Sequence, residues 1–242
     1  MPTARNRLLV ALDVDAPEKA HALVDQLTGH VGGFKIGKEL FVTAGPSVVR
    51  HVVERGAHVF LDMKFHDIPN TVAGAVRAAV RHGVWMLNVH ASGGAAMVRA
   101  AVDAARQTAE ETGGEFPLVI GVTILTSLDD EDLKNVGIAT PAHSAALRLA
   151  KLSQLNGLHG VVASATDARN IKDHCGENFV VVSPGIRPAG SDAGDQKRLM
   201  TPAKAIANGA DYLVVGRPIT QAPDPAAAAD AIVAEIRQAL GD

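Results

Sequence analysis

An aspartate, a lysine and a second aspartate follow one another in the stretch FLDMKFHD, and these side chains could do acid–base or electrostatic chemistry. They are Asp62, Lys64 and Asp67. Alternate side chains of a strand share a face, so Asp62 and Lys64 are expected beside Phe60 on one face, with Leu61 on the other. A carboxylate and an ammonium group buried together are costly to desolvate without partners, which favours a functional site over a structural ion pair.

Other charged residues stand where neighbouring strands are predicted to end. Asp13 closes LLVALD, and in FKIGK the side chain of Lys35 shares a face with Gly37, which leaves room for an inward lysine. Lys38 follows that strand and is expected to be solvated. Asp67 precedes a predicted helix and keeps two interpretations, a helix N-cap or a second carboxylate for the site.

The last two predicted strands end in glycine and arginine. Gly185 and Arg187 follow the seventh strand, and Gly216 and Arg217 follow the eighth. Barrels often bind phosphate at these two loops, where a guanidinium can pair with two phosphate oxygens. The pattern predicts a phosphate site, and the stretch RPAGSDAGDQKR is expected to be a functional lid or a flexible connection.

These residues require elements that bring them together. Short runs rich in Val, Ile and Leu recur along the chain, separated by longer Ala-rich segments with helical periodicity, as in βα units. The runs are residues 8–14, 34–38, 58–64, 86–90, 118–125, 160–164, 179–183 and 212–215. The least regular stretches are residues 126–141 and 187–198.

Several of these runs are apolar on both faces, which is typical of parallel strands covered by helices. We therefore predict an α/β fold, a single (β/α)₈ TIM barrel with a closed, parallel, eight-stranded sheet. Residues 1–242 are expected to form one barrel domain, with the active site at the C-terminal ends of the strands. A doubly wound open sheet is the competing architecture, but the first βα turn lacks the GxGxxG phosphate motif.

Composition narrows the function classes. The 242 residues carry a formal net charge of −3, which provides no broad attraction to nucleic acid or to an anionic membrane. The N-terminal apolar stretch is too short for a signal peptide or a membrane span, so a cytoplasmic location is expected. Cys175 is the sole cysteine, and the histidines show no HxH or HExxH motif, so no metal site is expected. His66 and His90 are not expected to be catalytic.

The stretch FLDMKFHDIPNTV closely resembles the DxKxxD signature of the orotidine 5′-phosphate decarboxylase family. Further motifs match that family in order across nearly the whole chain. They are LDV, FKIG, ILTSL, PGIRP, GDQ and ADYLVVGRPI. The resemblance implies a (β/α)₈ homodimer that converts the nucleotide orotidine 5′-monophosphate to uridine 5′-monophosphate with no metal or organic cofactor.

The resemblance also implies roles for single residues. The catalytic array comprises Lys35, Asp62, Lys64 and the partner's Asp67. The ribose contacts are Asp13, Lys35, the partner's Ile68 and the partner's Thr71. The pyrimidine contact is Thr126, the lid residue that reaches phosphate and base is Gln196, and the phosphate site is Arg187, Gly216 and Arg217.

Electrostatics are consistent with that chemistry. Loss of CO₂ leaves carbanion character on C6 of the pyrimidine, and without an electron-accepting cofactor a fixed cation must stabilise it. Lys64, flanked by carboxylates, is expected to remain an ammonium group and then to protonate C6. Asp62 could in addition repel the substrate carboxylate.

Three alternatives remain open. The sister family of hexulose-phosphate synthases and keto-gulonate-phosphate decarboxylases shares the DxKxxD strand but uses Mg²⁺, and it typically has glutamate where this chain has Lys35. An aldolase could form a Schiff base on Lys64, although flanking aspartates disfavour the neutral amine that this reaction needs. A non-catalytic nucleotide-binding barrel would keep the arginines and lose part of the charged array.

Overall fold

The computed structural model describes residues 2–188 and 200–241. The strands are β1 (Leu8–Ala11), β2 (Gly33–Gly37), β3 (His58–Phe65), β4 (Met86–His90), β5 (Leu118–Val122), β6 (Gly160–Val162), β7 (Val180–Ser183) and β8 (Tyr212–Val215). They form a closed parallel barrel in sequence order, in which β8 pairs with β1. The predicted TIM barrel is therefore confirmed, and closure rules out the open sheet.

Helices cover the barrel and connect its strands. They are α1 (Pro17–Leu27), α2 (Lys38–Ala44), α3 (Ser47–Glu54), α4 (Pro69–Val80), α5 (Gly94–Thr112), α6 (Asp130–Asn135), α7 (Ala142–Leu155), α8 (Ala168–Cys175), α9 (Pro202–Ala207), α10 (Arg217–Thr220) and α11 (Pro225–Leu240). Short 3₁₀ helices occupy Arg5–Arg7 and Ala91–Gly93. Among the helices of the described residues, none is both long and apolar enough to cross a lipid bilayer.

The eight predicted strands correspond to the observed ones, but the prediction extended the first and the fifth too far, and the sixth, expected at residues 160–164, ends at Val162. Residues 8–14 were expected as a strand, whereas β1 ends at Ala11, the last residue paired with β2. Residues 118–125 were expected, whereas β5 ends at Val122. In both cases apolar residues continue past the end of the strand, so composition alone overestimated the pairing.

Two layers of apolar side chains fill the molecule. The inner layer lies within the barrel and comprises Leu9, Ala11, Phe60, Met86, Ile120, Val182 and Val214. The outer layer packs between barrel and helices and includes Phe34, Ile36, Val59 and Leu61. Alternation along β2 and the first half of β3 therefore directs Lys35 and Asp62 inward, as predicted from their spacing.

The stretch at residues 126–141 is more regular than its sequence suggested, because it contains α6. Asp129 caps that helix by accepting hydrogen bonds from the backbone N–H groups of Glu131 (3.1 Å) and Asp132 (3.0 Å). The Asp132 side chain accepts in return from the Asp129 N–H, completing a capping box. An aspartate can close this box in place of the usual Glu or Gln, which is why the motif was missed.

An ion pair joins α8 to the loop before β8 at the N-terminal end of the barrel. The Lys172 ammonium donates to Asp211 Oδ2 and to the carbonyl oxygen of Glu177, at 2.7 Å each. The same Asp211 oxygen accepts from the Val181 N–H at 2.8 Å. The Lys172 side chain is only 2% exposed, so these partners replace the water that its ammonium group gives up on burial.

Replacing Lys172 by methionine is expected to lower the free energy of unfolding by about 3 kcal/mol, because the partly buried Asp211 carboxylate then keeps only the Val181 N–H and the Arg7 guanidinium, 4.0 Å away. Lys19→Met is the matched control, since Lys19 pairs with Asp15 on the surface, where such a pair contributes less than about 1 kcal/mol. Urea unfolding of both variants measures the difference. Equal losses would show that the Lys172 pair contributes no more than a surface pair.

Candidate active site

Four charged side chains form an alternating row at the C-terminal ends of β1, β2 and β3. Lys35 Nζ lies 2.9 Å from Asp13 Oδ1 and 3.4 Å from Asp62 Oδ2. Lys64 Nζ lies 2.6 Å from the other oxygen of the same carboxylate, Asp62 Oδ1. The order is Asp13, Lys35, Asp62, Lys64, so each inner charge lies between two charges of opposite sign.

Burial and pairing act in opposite directions on the two inner groups. Burial alone would raise the pKa of Asp62, but Lys35 and Lys64, together with the hydrogen bonds they and Asn88 donate, hold that pKa below its ordinary value. Burial alone would lower the pKa of Lys35, but Asp62 and Asp13 hold it above its ordinary value. Both groups therefore remain ionised at neutral pH although they are less than a tenth exposed.

Gly37 provides the space for the Lys35 head group. A Cβ atom at Gly37 would lie 3.1 Å from Lys35 Nζ and 3.4 Å from Asp13 Oδ1. The first distance is shorter than most Cβ contacts, so a larger residue would displace the ammonium group from its carboxylates. The prediction that the glycine leaves room for an inward lysine is confirmed.

Lys64 has an unusual backbone conformation. Its φ angle is 52°, and in the described part of the chain every other residue with a positive φ is a glycine. Its N–H donates to Asn88 Oδ1 at 2.7 Å, and Asn88 Nδ2 donates to Asp62 Oδ1 at 2.7 Å. Sequence analysis missed Asn88, and the available signal was a polar residue in the middle of the apolar strand MLNVH.

A partly apolar cavity opens beside the charged row. It has a volume of about 240 Å³, and charged Lys35, Asp62 and Lys64 meet a largely apolar wall. The rest of its lining is Phe60, Val122, Ile124, Leu125, Thr126, Ser127, Val162, Pro184 and Val214. Thr126, the expected pyrimidine contact, is part of this lining. A cavity of this kind suits a flat, uncharged ring whose edge meets the ammonium and carboxylate groups.

A second, polar cavity of about 360 Å³ adjoins the first and shares Lys35, Pro184 and Val214 with it. The rest of its lining is Ala11, Asp13, Gly185, Arg187, Gly216, Arg217 and Gln221. The predicted phosphate residues Arg187, Gly216 and Arg217 therefore meet in one place. Gln221 was missed, although it lies four residues after Arg217 and so on the same side of α10.

Two guanidinium groups in one small cavity can bind a dianion such as phosphate. Gly185 forms part of the wall with a φ of +76°, a backbone conformation that favours glycine. The two cavities together accept a molecule with a phosphate at one end and a ring at the other. Lys35 lies where they meet.

The residues expected from a partner subunit lie outside both cavities of the described chain. Asp67, Ile68 and Thr71 are all exposed, at the start of α4 or just before it. The N-cap interpretation of Asp67 is wrong, because Ile68 is the N-cap and Asp67 Oδ1 accepts from the Ile68 N–H at 2.7 Å. Gln196 lies outside the described residues.

Two histidines lie near the rim. The rings of His66 and His90 have centroids 5.2 Å apart. Burial, followed by the nearby charges of His66, Lys38 and Lys64, lowers the pKa of His90 to about 4. His90 is therefore neutral at physiological pH.

Lys38 is exposed, as predicted. Among residues 2–188 and 200–241, no group of three His, Cys, Asp or Glu side chains is arranged to hold a metal ion.

Comparison with known proteins identifies what this chain resembles. A model of the orotidine 5′-phosphate decarboxylase / HUMPS family matches residues 6–232. The orotidine 5′-phosphate decarboxylase of Moorella thermoacetica is 56% identical over 96% of this chain and 93% of its own, and that of Sodalis glossinidius is 52% identical over 99% and 93%. A crystal structure of orotidine 5′-phosphate decarboxylase from Lactobacillus acidophilus superposes with a TM-score of 0.84 at 37% identity, covering 95% of this chain and 98% of that one.

Proposed function

The chain belongs to the orotidine 5′-phosphate decarboxylase / HUMPS family, and on that basis we propose that it is a carboxy-lyase of pyrimidine biosynthesis that converts orotidine 5′-monophosphate to uridine 5′-monophosphate. One observation carries this proposal. The alternating row from Asp13 to Lys64 stands where a partly apolar cavity meets a cavity with two arginines. That combination matches a nucleotide whose ring, not its phosphate, undergoes the reaction.

The proposed reaction breaks the bond between C6 and the carboxylate carbon. The electron pair of that bond stays on C6, and CO₂ leaves. The Lys64 ammonium stabilises this negative charge and then transfers a proton from Nζ to C6, which gives uridine 5′-monophosphate. The neutral lysine regains its proton from water, so no redox step or organic cofactor is needed.

Asp62 holds the reacting ammonium group in place, and Lys35 pairs with the other oxygen of the same carboxylate. Asp62 accepts a 2.6 Å hydrogen bond from Lys64, which orients Nζ toward the ring cavity. Asp62 also disfavours the substrate carboxylate through repulsion between like charges. Lys35 and Asp13, joined at 2.9 Å where the two cavities meet, bind the ribose between ring and phosphate.

The binding groups act at a distance from the bond that breaks. Arg187, Gly216 and Arg217 bind the phosphate, and Thr126 contacts the pyrimidine. Binding energy from the phosphate can fix the ring against the charged row, so substrates without phosphate lose turnover as well as affinity.

A homodimer completes the site in this proposal. Ile68 is an apolar side chain with 67% of its surface exposed, and it stands beside exposed Asp67 and Thr71. The partner's Asp67 supplies the second carboxylate near Lys64, and the partner's Ile68 and the partner's Thr71 contact the ribose.

We further assign residues 1–242 to one domain and the protein to the cytoplasm, in keeping with its free and buried Cys175.

Subunit mixing tests the shared site. Lys64→Ala and Asp67→Ala are each expected to be nearly inactive, whereas a 1:1 mixture that exchanges subunits regains about a quarter of wild-type activity, because half of the dimers then hold one intact site. Activity is assayed after mixing, and exchange is verified with subunits of two different masses. Exchange without recovery would show that Asp67 acts within its own chain or not at all.

An ultraviolet assay of the purified protein with orotidine 5′-monophosphate, with and without EDTA, tests the function. We expect conversion to uridine 5′-monophosphate that is insensitive to EDTA. The Lys35 ammonium stands between the Asp13 and Asp62 carboxylates and repels a divalent cation there, which argues against the Mg²⁺-dependent sister activities. Activity that requires Mg²⁺ and sugar phosphates would overturn the proposal in favour of the sister family. A borohydride-trapped adduct on Lys64 would favour the aldolase, and nucleotide binding without CO₂ release would favour the non-catalytic barrel.

A further inference from the structure

Asn88 lies under the charged row and contacts two of its members. Its side chain, on β4, is fully buried, so it is shielded from anything that enters the cavities. The amide oxygen accepts from the Lys64 N–H, and the amide nitrogen donates to Asp62 Oδ1, each at 2.7 Å. Both polar ends of the amide are therefore used by the two residues that stand closest to the proposed chemistry.

The pairing of β3 with β4 explains why an asparagine is needed there. Leu61 pairs with Leu87, but the next pair is Phe65 with Val89. Residues 62–64 of β3 therefore stand opposite Asn88 alone, and the regular ladder is interrupted as in a β-bulge. The Asn88 side chain provides an acceptor for the Lys64 N–H, which would otherwise be a partly buried donor without a strand partner.

The bulge coincides with the positive φ of Lys64. Side chains other than glycine seldom adopt that conformation, and it persists only where surrounding contacts enforce it. The hydrogen bond from the Lys64 N–H to Asn88 is such a contact. It fixes the backbone from which the reacting side chain extends.

The second hydrogen bond fixes the other end of the same side chain. Asp62 Oδ1 accepts from Asn88 and, at 2.6 Å, from Lys64 Nζ. Asn88 thereby sets the position of the oxygen that orients the ammonium group. Rotation of the amide by 180° would set its oxygen against the carboxylate and its NH₂ against the N–H, so only one orientation satisfies both partners.

We infer that Asn88 is a positioning residue that fixes Lys64 at both ends, at its backbone N–H directly and at Nζ through Asp62. The inference rests on the proposed function, because the reaction is what requires Nζ to be held at C6. An error of about 1 Å in the placement of a reacting group can cost about 10² in rate. Binding of the nucleotide is expected to depend little on this placement, because Asn88 lines neither cavity and the two arginines line only the polar one.

Two variants test this role. Asn88→Ala removes both hydrogen bonds, and we expect kcat to fall about 10²-fold while the affinity for uridine 5′-monophosphate changes less than about threefold. Asn88→Asp keeps the shape, but it can donate to Asp62 only as the protonated acid. Its kcat is therefore expected to recover toward low pH and to decline as the new carboxyl ionises, unlike that of the wild type. Thr108→Val removes a buried hydroxyl from α5 and controls for loss of stability alone.

Hydrogen exchange of the Lys64 amide separates this inference from the proposed function. Fast exchange in folded Asn88→Ala and slow exchange in the wild type are expected whatever reaction the protein catalyses. A wild type without decarboxylase activity would therefore overturn the proposed function alone. An unchanged exchange rate in Asn88→Ala would overturn the role of Asn88. A kcat within threefold of the wild type, together with no new pH dependence in Asn88→Asp, would also overturn it. If Asn88→Ala does not fold, Asn88→Asp decides.

Discussion

Replacing Lys64 by alanine is expected to lower kcat for orotidine 5′-monophosphate by at least about 10⁴-fold, because one side chain supplies both the proton and the charge at C6. A positioned general acid contributes about 10² to 10⁴, and removal of one preorganised electrostatic group costs about 10² to 10³. The arginines of the polar cavity remain, so binding of uridine 5′-monophosphate is expected to survive.

Single-turnover absorbance measurements and calorimetric titration with the product separate these two effects. Lys38→Ala is the matched control, since Lys38 is an exposed lysine just past the end of β2. We expect it to retain near-normal turnover. Near-normal turnover in Lys64→Ala would remove Lys64 from the chemistry, and loss of product binding in that variant would show that the lysine holds the ground state as strongly as the transition state.

Replacing Asp62 by asparagine is expected to lower kcat/KM by about 10³-fold or more, an effect at the upper end for a single electrostatic group. The neutral amide leaves the Lys35 and Lys64 ammonium groups facing each other without the carboxylate that now accepts from both. Since Asp62 is one of the two carboxylates that raise the pKa of Lys35, the variant should also lose this lysine's charge at a lower pH than the wild type.

A pH profile of kcat/KM for Asp62→Asn measures both consequences. The residual activity is expected to decline at a lower alkaline pH than the wild-type activity does. Asp15→Asn is the control, because Asp15 pairs with Lys19 on the surface, at 69% side-chain exposure. A reduction of less than tenfold in Asp62→Asn would show that the row of charges works without its buried carboxylate.

Periodicity predicted much of this site, because the two faces of a strand are fixed by alternation alone. Lys35 beside Gly37 and Asp62 beside Phe60 could be assigned to the barrel interior, and the structure agrees. For Lys64 the same rule correctly predicted a position beside Asp62, but the backbone there does not follow regular strand alternation. The strand bulges after Leu61, and the lysine meets Asp62 through a positive φ that no hydrophobic pattern records.

Residues that act through long-range pairing were beyond the sequence. Asn88 lies 26 positions from Asp62 and becomes significant only once β3 and β4 are placed in register. Gln221 required the direction of a short helix that begins at Arg217. The spacing after Lys64 already suggested Asp67 as a second carboxylate, whereas only the family resemblance supplied the roles of Ile68 and Thr71, for which the chain itself offers only their exposure.

The ion pair of Lys172 and Asp211 joins α8 to the loop before β8, whereas the row from Asp13 to Lys64 stands at the opposite end of the strands. Thermostability and substrate preference are therefore expected to be separable in engineering, since stabilising substitutions around this ion pair lie at the end of the barrel away from the cavities. Stability gained in this way would also allow variants in a directed-evolution experiment to tolerate destabilising substitutions around the ring cavity that change substrate preference.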